Sequence, residues 1–390
     1  MLRSIALAFA LAAPLAFADT PASTDPAPPG TETSAEAPPA DTPPAPAEPA
    51  LAEPPAATQL PAAPPAQSEQ AAATAEQKAF DQYRHDLINL LALRADADLL
   101  VAAAELAYPD AENKKRPAVL KSPSLLKRAQ KFGPDNPLVW WVSTFMECTP
   151  KAKACTHEAA AKLQEVDADN AAAWLPALHA EKDAGRARAL IASMAQAKRF
   201  NDFWSPSVLA VYRALQIMPV PEDVLSHGLN ATAARLNFAT SVGGGFMPNF
   251  QRLGELCTGP DVQQDTDLVG DCLAIAHTLE SGGTFRSQAV GFSIESSLLP
   301  AGTARDVARA RQRASAWQKE RFLELSARFP REEWLAQAYA DMLQEQSNEL
   351  ATVIAFLRNQ HVPTDPPQGW QPQDRSGEAP RGPLAPVPGR

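Results

Sequence analysis

Apolar residues recur every three to four positions along most of the chain, which is the spacing of one face of an α-helix. No segment shows the convincing alternation of apolar and polar residues that a half-buried strand would have. The sequence therefore predicts an all-α domain over residues 75–360. The pattern is clearest in the last two predicted helices, in which two sets of residues each fall on one face: Trp334, Leu335, Ala338, Tyr339, Met342 and Leu343, and then Leu350, Val353, Ile354 and Leu357.

A short phrase occurs twice inside this helical region. Residues 135–140 read Asp-Asn-Pro-Leu-Val-Trp, and residues 169–174 read Asp-Asn-Ala-Ala-Ala-Trp. Trp140 and Trp174 are 34 positions apart, which is the period of a two-helix repeat. An Asp-Asn pair can cap a helix, and Pro137 is tolerated in a first helical turn. Each phrase is therefore predicted to begin a unit of two antiparallel helices.

Over residues 134–203 the chain resembles the tetratricopeptide repeat family. The resemblance rests on the 34-residue period, on the two Trp residues, and on Pro134, Gly185 and Ala197 at positions that fit the family. It implies stacked antiparallel helix pairs in a TPR-like superhelix, which presents a concave surface. The chain departs from the family at its Leu-Gly pair (Ser143-Thr144 and Ala177-Leu178), at its first-helix Tyr (Glu147 and Glu181) and at its second inter-repeat Pro (Ala168).

The N-terminus has the features of an export signal. A basic start with Arg3 is followed by an apolar run over residues 5–17 and by Ala-Phe-Ala at residues 16–18, a small-x-small cleavage site. The run is too short to cross a bilayer, although an uncleaved anchor is the alternative. Residues 1–18 are therefore predicted to be a signal peptide. The predicted location is the periplasm, with secretion as the alternative, and no membrane span is predicted in the mature chain.

Pro-rich segments flank the helical region. Residues 19–74 consist mainly of Pro, Ala, Glu, Thr and Ser, and residues 361–390 are again rich in Pro. Such compositions cannot bury enough apolar surface to offset the entropy of the chain. We therefore expect a disordered, acidic linker before the helical domain and a disordered tail after it.

The net charge of −10 is concentrated in the linker. Residues 19–77 contain nine acidic residues and no Lys or Arg, so that the chain after Gln77 carries about −2. A nucleic-acid-binding protein needs a basic face, and nothing in this distribution indicates one. We therefore expect no nucleic-acid partner.

The four cysteines are predicted to form two disulfides, because an even number in an exported chain favours disulfides over metal ligands. The spacings in the sequence are seven residues for Cys148 and Cys155 and fifteen for Cys257 and Cys272. Neither is a C-x-x-C pair, as zinc sites often have. The residues between the members of each pair resemble a turn between two helices. We therefore predict the pairs Cys148–Cys155 and Cys257–Cys272.

Motifs for catalysis or cofactor binding are weak, and the sequence predicts no catalytic, cofactor-binding or metal-binding residue. Ser124 and Lys127 match S-x-x-K without its companion motifs, so a helix start capped by Ser is preferred. The triple glycine at 243–245 lacks the strand and the Lys of a phosphate-binding loop and is interpreted as a hinge. The glycosylation sequon at Asn230 falls inside a predicted helix that begins at Glu222.

Two functions remain open at this point. The preferred one is a non-catalytic envelope protein that binds or scaffolds another envelope protein or a peptide. The alternative is a helical enzyme that acts on cell-wall glycan, for which a carboxylic acid in a cleft is needed, with Glu295, Glu320 and Glu324 available. Five Trp residues could line a groove, although packing in the core is their more common use: Trp140, Trp174, Trp204, Trp317 and Trp334.

Overall fold

The fold is all-α, as the sequence predicts. A computed structural model describes residues 66–108, 117–147, 157–221, 229–260, 262–346 and 348–372. Within these residues there are fifteen α-helices and no β-strand. From Thr74 onward the described residues form one compact unit. The helices are α1 Ala66–Leu91, α2 Ala97–Ala107, α3 Ser122–Phe132, α4 Pro137–Glu147, α5 Glu158–Val166, α6 Leu175–Ala180, α7 Ala184–Ala195, α8 Trp204–Ile217, α9 Ala231–Gly243, α10 Gln251–Thr258, α11 Thr266–Glu280, α12 Phe285–Leu298, α13 Thr303–Ser326, α14 Glu333–Glu345 and α15 Glu349–Asn359.

Short polar side chains determine where many of these helices begin. An Asp, Asn or Thr before the first turn accepts a hydrogen bond from a backbone N–H of that turn, which otherwise has no partner inside the helix. Thr284 and Ser287 form a reciprocal capping box at α12. The other residues that cap helices in this way are Asp96, Asp183, Asn230, Asp265 and Asn348.

Helices that follow one another commonly pack as pairs. Such pairs are α2 with α3, α4 with α5, α8 with α9, α11 with α12, and α14 with α15. Contacts between helices far apart in the chain join the pairs, namely α2 with α8, α7 with α11, and α9 with α14. The buried apolar residues form two clusters, and Trp174 packs against both of them.

The two copies of the repeated phrase share their local hydrogen bonds. Nε1 of Trp140 donates to the carbonyl oxygen of Pro134 at 2.6 Å, and Nε1 of Trp174 donates to that of Ala168 at 3.3 Å. Each donor therefore reaches back six residues. Oδ1 of Asn136 and Oδ1 of Asn170 each accept a hydrogen bond from the backbone N–H two residues later, at 3.0 and 3.2 Å. The copies diverge after this start, because the first continues as α4 while the second forms a 3₁₀ turn and the short α6.

Two local predictions are wrong, and the hinge at residues 243–245 stays a prediction. Gly243 is buried at the end of α9, where an added Cβ would lie 2.8 Å from Cγ2 of Val208 on α8, and a 3₁₀ turn follows over Gly244–Phe246. The side chain of Ser124 does not cap α3, because the helix begins two residues earlier and its N-cap is Lys121. Asn230 is not inside a helix but caps α9, and its Nδ2 donates to the carbonyl oxygens of Phe329 and Pro330.

The boundaries of the helical domain also differ from the predicted ones. Helix α1 begins at Ala66, nine residues before the predicted start at residue 75. Residues 361–372, predicted as part of a disordered tail, contact α13 through Trp317. The described residues do not include the rest of the two predicted Pro-rich segments, the predicted signal peptide or residues 222–228. Among the described helices, none combines the length and the apolar character needed to cross a membrane.

Candidate functional site

A pocket of about 320 Å³ lies between the elements that follow the two copies of the repeated phrase. Its walls come from α4, α5 and α6 and from the loop that precedes α10. The buried lining residues are apolar, whereas the lining residues at the surface are mostly polar. The buried set is Trp141, Ala160, Leu175 and Pro248, and the polar surface set is His157, His179 and Asn249. A pocket with this lining fits an apolar group whose neighbouring atoms are polar.

The deepest wall of the pocket is held rigidly by aromatic contacts. The ring of Trp141 stacks on Phe203 with centroids 5.0 Å apart, and it meets Phe145 edge-on at 5.5 Å. Nε1 of Trp141 donates to the carbonyl oxygen of Phe246 at 2.9 Å. Because this indole N–H is already satisfied, the wall offers the pocket an aromatic surface and no hydrogen-bond donor.

The polar groups near the pocket have structural partners. Oγ1 of Thr144 donates to the carbonyl oxygen of Trp141, and Oε1 of Glu147 accepts from the N–H of Ala159 at 2.9 Å. Glu147 therefore binds the N-terminal turn of α5, where a negative charge is favourable.

His157 lines the pocket and adopts a φ of 54°. Positive φ is uncommon for residues other than glycine and is often found at functional sites.

A pair of buried carboxylates lies elsewhere, on α11 and α12. Nη2 of Arg311 on α13 reaches Oε2 of Glu280 at 3.1 Å and Oε2 of Glu295 at 2.8 Å. The two carboxylate side chains are only 6% and 1% exposed. Nε2 of His277, which is mostly exposed, lies 2.7 Å from Oε1 of Glu295. One guanidinium group thus connects three helices through two acids.

Glu280 is the member of this pair whose pKa is raised. Loss of hydration on burial and the neighbouring Glu295 carboxylate raise the pKa of Glu280 to about 8, although Arg311 opposes the shift. This shift favours a proton on the Glu280–Glu295 pair, which reduces the repulsion between the two acids. Gly291 permits this arrangement, because a Cβ there would lie 2.7 Å from the carbonyl oxygen of Ala276 and 2.9 Å from Cγ of Glu280.

Three more acids are buried between helices. Burial raises the pKa of Glu105 to about 8, and its Oε1 accepts a hydrogen bond from Ser207. Burial likewise raises the pKa of Glu349 to about 7 and raises the pKa of Asp202. Oε2 of Glu349 accepts from the N–H of Phe285, and Asp202 accepts from Thr284, so that these two acids bind the N-terminus of α12.

The catalytic candidates weighed in the sequence do not converge. Glu320 and Glu324 both pair with Arg321, at 2.8 and 2.6 Å. Ser124 and Lys127 share α3, and Lys127 is exposed. Among the described residues, no group of three or more His, Cys, Asp or Glu could hold a metal ion.

The Trp candidates separate into different environments. Trp204 is buried in the core. Trp140 and Trp174 are partly buried and pack against the same core cluster. Trp334 is 59% exposed, and Trp317 contacts the C-terminal segment. The sequence does not single out Trp141 and Phe145 among the apolar positions of α4, because no local signal distinguishes a pocket wall from a core contact.

The disulfide between Cys257 on α10 and Cys272 on α11 is present, with Cα atoms 5.6 Å apart. Both residues are fully buried. The bond joins two helices across the turn that contains Val262, as predicted. The second predicted pair, Cys148 and Cys155, lies outside the described residues.

The comparisons with known proteins return nothing for this chain: no protein-family model, no curated protein and no solved structure matches it.

Proposed function

We propose that this protein is an exported, non-catalytic helical protein that binds another envelope protein or a peptide through the pocket between its two repeated units. The observation that carries the proposal is the lining of the pocket, which is apolar where it is buried and polar at the surface. A single apolar side chain of a partner would enter the pocket, and the exposed His157, His179 and Asn249 would meet the partner's backbone.

Two further features support binding at this place. The aromatic wall around Trp141 is fixed by ring contacts and by a hydrogen bond, so that a ligand loses little affinity to reordering of the pocket. The walls also come from the two units that resemble tetratricopeptide repeats. We include in the proposal that these units form a TPR-like helical stack whose groove receives the partner.

The alternative, a glycan-cleaving enzyme, has less support. Such an enzyme needs an acid that can touch its substrate. Glu295 is the most buried of the candidates, and it contacts Arg311 and His277. The acid at the pocket, Glu147, uses one carboxylate oxygen to bind the N–H of Ala159.

Export is part of the same proposal. The signal-like N-terminus supports it, and the disulfide between Cys257 and Cys272 is compatible with an oxidising compartment. The periplasm is the proposed location.

A peptide library tests the binding function. The chain from Asp19 to Arg390 would be purified and panned against a phage-displayed library of random peptides. Selected peptides would then be measured by fluorescence anisotropy against Ala180→Phe, which fills the pocket from its exposed edge. We expect apolar residues to recur at one position of the peptides, and we expect Ala180→Phe to weaken binding at least tenfold.

The matched control is Ala161→Phe, because Ala161 is exposed on α5 and does not line the pocket. It should leave the affinity unchanged. Selected peptides that bind both variants as tightly as the natural chain would show that the pocket is not the binding site.

A further inference from the structure

A second surface of the protein already holds a peptide, which is the chain's own C-terminal segment. Residues 361–372 lie against α13 after the last helix ends. From residue 361 to residue 366 exposed and half-buried residues alternate, so that one side of the segment faces the protein. The segment contains Pro363 and Pro366, a P-x-x-P spacing that favours a polyproline II conformation.

The protein holds this segment through two backbone carbonyl groups and two side chains, of which Val362 packs against the hydrophobic core. Nε1 of Trp317 donates to the carbonyl oxygen of Pro363 at 2.8 Å, and Nε2 of Gln318 donates to that of Thr364 at 3.1 Å. Trp370 then meets the ring of Trp317 edge-on, with centroids 5.2 Å apart. Two neighbouring carbonyl groups, one aromatic ring and the side chain of Val362 therefore provide the attachment.

The ring of Trp317 is held in position by a charged neighbour. The guanidinium carbon of Arg321 lies 4.4 Å from the centroid of the Trp317 ring, a cation–π contact. Arg321 is itself held by Glu320 and Glu324. At the start of the bound segment, His361 adopts a φ of 55°, which turns the chain from α15 back onto α13. A preorganised donor surface of this kind is the arrangement that a peptide-binding site needs.

We propose that the surface formed by Trp317, Gln318 and Arg321 is a binding site for proline-rich peptides, and that residues 361–370 occupy it in cis. A proline-rich segment of a partner protein, extended and with an aromatic residue after its prolines, displaces this tail and takes the same two hydrogen bonds. Because these bonds go to backbone carbonyl groups, the site tolerates different residues between the prolines. This site is separate from the pocket between the repeated units and does not depend on it.

The tail competes strongly because it is covalently attached. A short tether gives a tail an effective concentration in the millimolar range. A free peptide of equal affinity must therefore approach about millimolar concentration before it displaces the tail. Weakening the tail inside the full chain should make the site accessible to much lower peptide concentrations.

The test uses the full chain with three tail substitutions, Pro363→Ser, Pro366→Ser and Trp370→Ala, which remove the ring contact of Trp370 and the two prolines that restrict the backbone presenting the carbonyl groups. The probe is a fluorescein-labelled synthetic peptide with the sequence of residues 361–372, and binding is followed by anisotropy. We expect the tail variant to bind this probe at least tenfold more tightly than the natural chain. A second probe keeps the prolines and the Trp but changes the other side chains, and it should bind within tenfold of the first.

Two variants in the tail-variant background identify the surface. Trp317→Phe keeps an aromatic ring but loses the N–H donor, so it should weaken binding about fivefold, the effect of one hydrogen bond. Trp334→Phe changes an exposed Trp on α14 and should have no effect. Near-ultraviolet circular dichroism would verify that each variant is folded.

Three results would overturn the proposal. The first is a tail variant that binds the probe no more tightly than the natural chain does. The second is a scrambled peptide of the same composition that binds as tightly as the probe, which indicates nonspecific adhesion. The third is binding of the natural sequence alone and not of the second probe, which would mean that the surface only packs the protein's own tail.

Discussion

Glu280 and Glu295 approach the same nitrogen of Arg311, at 3.1 and 2.8 Å, although both are acids and both are buried. Two such neighbours cannot both carry a full charge without a large cost. The raised pKa of Glu280 therefore makes the stability of the helical domain sensitive to pH.

The first prediction is that the protein loses stability relative to Glu280→Gln as the pH rises from about 5 to about 8. In this range the native state keeps the proton of Glu280, whose pKa is about 8, while the unfolded state releases it. The free energy of unfolding then falls by at most about 1.4 kcal/mol per pH unit for this one proton. Glu105 and Glu349 shift in the same direction, but they are present in both proteins and cancel in the difference.

Urea unfolding at pH 5, 6, 7 and 8 measures this effect. The charged groups around Glu280 are kept in both proteins: His277 on the same helix, Glu295 on α12 and Arg311 on α13. Glu333→Gln, at an exposed position of α14, is the control and should give a curve parallel to that of the natural protein. Parallel curves for Glu280→Gln as well would contradict the prediction.

The second prediction concerns the close contact of α11 and α12. Gly291→Ala places a methyl group 2.7 Å from a backbone oxygen, so that the helices must move apart. Overpacking of this kind costs about 1–3 kcal/mol. The control is Gly270→Ala on the exposed side of α11, where an added Cβ meets nothing within 4 Å. Because Ala favours a helix over Gly by about 1 kcal/mol, the control should be neutral or stabilising. Thermal unfolding of both variants and of the natural protein measures these differences in stability.

The third prediction is that the disulfide between Cys257 and Cys272 stabilises the fold without taking part in redox chemistry. The bond spans 15 residues of sequence, for which chain entropy predicts about 3 kcal/mol. Replacing both residues by Ala should lower the urea midpoint without changing the helical circular dichroism spectrum at low urea. Peptide mapping under non-reducing conditions should show this pair, and a link from either residue to Cys148 or Cys155 would contradict it.

The fourth prediction compares the two copies of the repeated phrase. Asn170 is fully buried, and its amide makes four hydrogen bonds, with Ala172, Asn201 twice and Asp167. Asn136 occupies the matching position but makes two, with Leu138 and Asp98. Removing Asn170 leaves several buried groups unpaired, each of which costs about 1–3 kcal/mol. Asn170→Ala should therefore destabilise the protein by at least twice as much as Asn136→Ala.

The fifth prediction follows from the signal-like N-terminus. Cleavage after Ala18 should give a mature chain that starts at Asp19. N-terminal sequencing of the protein from the cell-envelope fraction measures this directly. Recovery of a chain that retains Met1 would show that the segment is not removed.

Features that depend only on residues close together in the chain could be predicted from the sequence. The apolar period predicts helices, and the repeated Asp-Asn phrases predict helix starts whose hydrogen bonds the structure contains. The pairing of Cys257 with Cys272 could also be predicted, because a short turn between two helices brings their ends together. These signals are local: caps, turns and helical faces are decided within a few residues of chain.

Contacts between residues that are distant in the chain could not be predicted, because they depend on how the whole chain folds. Glu280, Glu295 and Arg311 lie on three helices, and no spacing in the sequence places their charges together. The roles of Gly243 and Gly291 depend on how closely a neighbouring helix approaches, which a local pattern does not encode. The same holds for residues 361–372. Their composition predicts disorder, whereas in the structure Trp317 donates a hydrogen bond to the carbonyl oxygen of Pro363. Composition measures what a segment can bury by itself, whereas the surface that it meets is formed by the rest of the fold.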